Sequence, residues 1–153
     1  MSRAVHPSKH VQLLDGLTGC VDEERFGFPR EVCSELQTIA RDEPIWAWAS
    51  GLTSKLDRFA ANISFIRPVM ALVVNLGFSF GIESLEKDAG CLAAVGRLCM
   101  MLTEESTEFV LATEDTGDFP LRPTMEQLAQ QAGWPYLDAK AALDHLDLGT
   151  LLT

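Results

Sequence analysis

Apolar residues recur every three or four positions along much of this chain, the period of amphipathic helices. Val11, Leu14 and Leu17 keep that spacing near the start, with Gly16 and Gly19 ending a short helix. After a break at Gly27-Phe-Pro29, a second helix is predicted. Pro29 suits its first position, Glu31 its first turn, Val32, Leu36 and Ile39 one face, and Arg41 its end. Asp42-Glu-Pro44 interrupts that helix and starts another over residues 45–49. Trp46 and Trp48, two positions apart, cannot share a helical face, so one belongs to the core and the other to a rim or contact surface. Leu56, Phe59, Ile63 and Ile66 then predict a further amphipathic helix, capped by Thr53 or Ser54 and kinked or restarted at Pro68.

Residues 68–82 form a run of fifteen without a charge, but a bilayer span needs about 20 and this run holds Asn75, Ser79 and two glycines. The run reads as a helix buried on all sides within a core, and no membrane association is expected. Glu83 opens another helical pattern in which Leu85, Leu92, Val95 and Leu102 face inward. On it, Ala89, Ala93 and Gly96 make a stripe of small side chains that admits a close neighbour. Internal packing against the 68–82 helix is the expectation, and a homodimer seam is compatible with it. Residues 103–113 mix β-branched and polar positions without a firm period, so helix and strand both stay open. Residues 114–123, acidic and carrying one glycine and two prolines, are a loop and the one internal boundary.

Thr124 followed three positions later by Gln127 is a capping box, so a helix starts there. Leu128, Ala129 and Ala132 form its buried side, Gly133 stands where a left-handed turn is needed, and Trp134 follows as an apolar plug. Pro135 suits the first turn of a second helix with Ala139, Leu143 and Leu146 facing in. This pattern resembles the helix-turn-helix of winged-helix domains over residues 124–148, and residues 142–148 look like the end of such a domain's third helix. In DNA-binding members the second helix of the motif carries the reading residues; matched onto this chain, the outward positions are Tyr136, Lys140 and Asp144. Tyr136 and Lys140 suit contact with nucleic acid, whereas Asp144 repels it.

Charge sharpens that point. Residues 1–67 hold eight Lys/Arg against nine Asp/Glu, a net of −1, whereas residues 68–153 hold four against thirteen, a net of −9. Such a surface repels phosphate backbones and attracts a basic protein. Cys20, Cys33, Cys91 and Cys99 lie 13, 58 and 8 positions apart, without a Cys-x-x-Cys pair, so neither a disulfide nor a zinc framework is legible. Residues 1–20 lack the apolar core of a secretory signal, and reduced thiols in a cytoplasm are expected.

Enzymatic chemistry finds little support. His6 and His10 are spaced as metal ligands but straddle Pro7, and no metal or cofactor is expected. Glu104-Glu105 and Glu114-Asp115 read as solvated acidic faces rather than acid/base pairs. Cys33 near Arg30 and Cys99 near Arg97 are the thiols with a cation nearby in sequence. The chain is therefore expected to be all-α: a bundle of about five helices over residues 1–113, an acidic loop over 114–123 and a helix-turn-helix-like unit over 124–153, able to pack as one domain. The leading functional expectation is an acidic, non-enzymatic regulator or inhibitor. It would bind another protein, with a basic nucleic-acid-binding protein as one candidate, through Trp134, Tyr136, Lys140 and Asp144. The alternatives are a transcriptional regulator that binds DNA as a dimer and a thiol-based sensor or enzyme.

Overall fold

The computed structural model describes residues 9–79, 81, 84–85 and 91–152. Of the described residues 63% are helical, in seven α-helices and short 3-10 turns, and strand among them is confined to Leu111–Ala112 and Tyr136–Leu137, so the fold is all-α.

Helix α1 (His10–Asp22) runs straight through both glycines expected to end it, and it buries Leu13, Leu17, Cys20 and Val21 while Val11 stays 70% exposed. Helix α2 (Glu31–Ala40) centres its buried face on Cys33. Ile39, expected on that face, is exposed instead. At about 100° per residue it lies some 120° round the helix from Cys33, beyond the reach of the packed arc. Helix α3 (Pro44–Gly51) starts at its proline as expected, but neither tryptophan is fully buried or fully exposed. Trp48 donates its Nε1–H to Thr18 Oγ1 at 2.8 Å, tying α3 to α1.

The single helix expected over residues 53–66 is replaced by three short 3-10 turns, Thr53–Lys55, Asp57–Phe59 and Ile63–Phe65. Side chains compete here for the groups that a continuous helix would use. Arg30 binds the Thr53 carbonyl and the Asp57 carboxylate, and Asn62 accepts from the Ser64 N–H. Leu56 turns fully inward as a result, while Ile63 faces solvent.

Helix α4 (Ile66–Asn75) contains Pro68 in its first turn, where a missing N–H leaves no intrahelical bond unmade, so the proline neither kinks nor restarts it. The uncharged run is not one helix buried on all sides. Helix α4 ends at Asn75, Gly77 turns with φ 92°, and Val69 and Val73 are buried while Val74 is exposed. Helix α5 (Cys91–Glu104) packs on α4, and a Cβ at Gly96 would lie 3.1 Å from Val69 Cγ2. Ala93 and Gly96 thus serve internal packing; Ala89 and Glu83 lie outside the described residues.

Residues 105–110 leave α5 and lead into strand β1 (Leu111–Ala112), which pairs in parallel with β2 (Tyr136–Leu137) in the register Leu111–Tyr136 and Ala112–Leu137. Helix α6 (Met125–Ala132) precedes β2, and α7 (Ala139–His145) follows it. Three apolar clusters hold these parts together. The first joins α4, α5 and α6 with Trp134, the second joins α1 to α7, and the third joins α2 and α3 to Val21 and Leu56. No helix among the described residues is long and apolar enough to cross a membrane.

Candidate binding site

The capping box is complete. Thr124 Oγ1 accepts from the Gln127 N–H at 3.2 Å, and the Thr124 N–H donates to Gln127 Oε1 at 2.9 Å. Gly133 closes α6 in the left-handed conformation at φ 76°, and the Trp134 N–H returns to the Ala129 carbonyl at 2.9 Å. The next step departs from a tight helix-turn-helix. Pro135 does not open a helix, because its carbonyl accepts the Leu111 N–H at 2.9 Å and draws residues 136–137 into the sheet. Helix α7 therefore starts later, with the Asp138 carboxylate capping Ala141 N–H at 2.7 Å.

The four residues singled out from the sequence separate accordingly. Trp134 is only 6% exposed and packs its ring edge-on to Phe109, centroids 6.4 Å apart. It is the plug, not an exposed anchor, since the αL turn at Gly133 directs it into the first cluster. Tyr136 is half-buried on β2, not on the second helix, and its hydroxyl accepts from Gln130 Nε2 at 2.9 Å. Lys140 and Asp144 are exposed on α7.

Where the three clusters approach one another they enclose a cleft of about 580 Å³. Its walls come from Leu17 of α1, the Phe26–Phe28 segment, the facing sides of α2 and α3, Leu98 and Leu102 of α5, and α7. Residues 107–114 form one edge without interruption. Burial alternates along it: Phe109, Leu111 and Thr113 are buried or half-buried, while Glu108, Val110, Ala112 and Glu114 are exposed. The lining is overwhelmingly apolar, within the size range of sites that hold ligands.

Charge gathers only where the cleft meets solvent. Arg25 is held by Glu23 and Asp147 at 3.5 and 3.4 Å, and Glu24 by Arg58. Glu114 Oε1 accepts the Ala139 N–H at 2.8 Å, at the start of α7. Glu108 is exposed and engages no partner among the described residues. The basic residues at the mouth are thus neutralised or limited to His145, and its carboxylates predominate.

Burial works against ionisation of three of the four thiols. Burial pushes the Cys99 thiol up to about 12, and burial also raises Cys33 and Cys91, the latter further by Glu35 and Glu31. Arg97 does not turn to Cys99: its Nη1 donates to the Ala61 carbonyl at 2.9 Å and its Nη2 lies 3.4 Å from Glu31. Among the described residues no three His, Cys, Asp or Glu side chains converge as metal ligands would.

The cleft itself was not anticipated from the sequence. Its nearest signal is Phe109-Val-Leu, the apolar core of the segment left open between helix and strand. Comparison with protein-family models, with curated proteins and with solved structures finds no match to this chain.

Proposed function

We propose that this protein is a non-enzymatic binding module for a basic protein partner, and that it regulates or inhibits that partner by occupying its basic surface. The observation that carries the reading is an apolar cleft whose mouth bears the unengaged carboxylate of Glu108, on a half-chain of net charge −9. Apolar lining supplies affinity when it leaves water, and the surrounding carboxylates select against acidic partners and speed encounter with basic ones. Direct DNA reading gains nothing from α7. It is seven residues long and presents Lys140 beside Asp144, so the phosphate attraction that such reading depends on is missing. If the partner itself binds nucleic acid, the acidic mouth competes for the same basic groove.

The test is capture of partners from a lysate of the native host on the immobilised full chain, with and without nuclease, across a salt series. Capture should survive nuclease, fall several-fold between about 50 and 300 mM salt, and weaken with Glu108→Lys. Loss of capture on nuclease treatment, or indifference to salt, would overturn the reading.

A further inference from the structure

The exposed edge of β1 adds a feature that charge alone does not explain. In the parallel pair, the Leu111 N–H donates to the Pro135 carbonyl at 2.9 Å and the Thr113 N–H to the Leu137 carbonyl at 3.0 Å. Successive amides of a strand point to opposite edges, so the N–H and C=O of Ala112 are turned away from β2. The sheet among the described residues has two strands, which leaves that edge of β1 without a neighbour. Ala112 is exposed and belongs to the run of residues, 107 to 114, that lines the cleft without interruption. Unpaired strand edges are templates for another strand, and natural sequences blunt them with charge, proline or cover. Here the exposed carboxylate of Glu108 stands on the same cleft-lining segment and repels a strand of its own sign, while that of Glu114 is turned to the Ala139 N–H on the β2 side.

We infer that β1 receives an extended, basic segment of the partner as a third strand, lying in the cleft. The inference rests on the functional reading above and names how the partner docks. Main-chain bonds to Ala112 hold the incoming strand, every second side chain of it enters the apolar cleft, and an intervening Lys or Arg side chain meets Glu108. Charge complementarity selects this occupant: a strand with acidic alternate positions would bring like charges face to face. A helix laid in the cleft would leave the Ala112 amide unused.

The probe is a blocked heptapeptide of alternating Lys and Val, with an alternating Glu and Val peptide as control, titrated against the full chain. Amide hydrogen exchange is followed by NMR. The Lys/Val peptide should bind, slow exchange at Ala112 by tenfold or more, and bind more weakly as salt rises; the Glu/Val peptide should not bind. Ala112→Pro removes only an outward-facing donor, a place where edge strands tolerate proline, and should weaken binding tenfold or more. Glu108→Lys should weaken it several-fold and provides a variant that leaves the backbone intact. No binding, or binding that leaves Ala112 exchange and the Ala112→Pro variant unaffected, overturns the strand inference. In the second case, loss with Glu108→Lys alone leaves the acidic-module reading standing. Self-association of the chain that Ala112→Pro abolishes would make a second copy the occupant and overturn the assignment to a partner.

Discussion

Gly133 and Thr124 hold the two ends of α6 by different physics. At Gly133 a Cβ would meet nothing within 4 Å, so Gly133→Ala loses only the left-handed backbone preference, about 1 kcal/mol. Thr124 is fully buried, and its hydroxyl serves both the Gln127 N–H and the Gly117 carbonyl. Thr124→Ala should therefore cost about 2 kcal/mol, the upper end for a cap. Urea midpoints of the two variants against wild type check that order. Cys99 makes a prediction about pH. Its thiol is raised from 9.0 to about 12 in the fold, so below pH 9 both folded and unfolded chains carry the proton. Between 9 and 12 the unfolded chain ionises first, and stability falls with rising pH by up to about 1.4 kcal/mol per unit. The stability gap between wild type and Cys99→Ala should accordingly stay constant up to pH 9 and narrow by pH 10.5.

The acidic loop and α6 behave as one element because of Asp115. Its carboxylate takes both Arg122 nitrogens, at 2.9 and 3.1 Å, and also the Met125 N–H at 3.0 Å, while its carbonyl accepts the Glu126 N–H. An exposed ion pair alone is worth under about 1 kcal/mol, whereas a carboxylate on a helix's first N–H groups adds both a charge-assisted bond and favourable dipole alignment. Asp115→Ala should thus cost about 2 kcal/mol and Arg122→Ala less than 1, with faster amide exchange at Met125 and Glu126 only in the former. Equal losses would mean that the ion pair, and not the helix start, is what Asp115 stabilises.

Across the whole molecule, the three apolar clusters meet around the cleft and not in one continuous core. Ala142 of α7 lines that cleft and is half-buried, so a larger apolar side chain there has somewhere to go. Ala142→Leu should raise stability by about 1 kcal/mol, or about 2–4 °C in Tm, and should weaken the Lys/Val peptide by the same occupancy. A thermal melt and the peptide titration, run on one preparation, read both effects. A gain in stability with unchanged peptide binding would separate the cleft from the docking site.

The all-α class, the capping box at Thr124, the left-handed turn at Gly133 and the acidity of the second half were legible in the sequence. Each depends on neighbours a few positions apart or on composition alone, so local chemistry was enough. What it did not reveal was decided by partners distant in the chain. Residues 53–65 became turns because Arg30 reaches Thr53 and Asp57. Pro135 entered a sheet because Leu111, twenty-four positions earlier, offered it a donor. Burial of Trp134 followed from its contact with Phe109 and the first cluster, not from its own flanks. The cleft is the furthest removed from local pattern, since α1, α2, α3, α5, β1 and α7 must all be in place before it exists. A helical period says which face of a segment is apolar; only the tertiary structure decides whether that face meets another face or leaves room between.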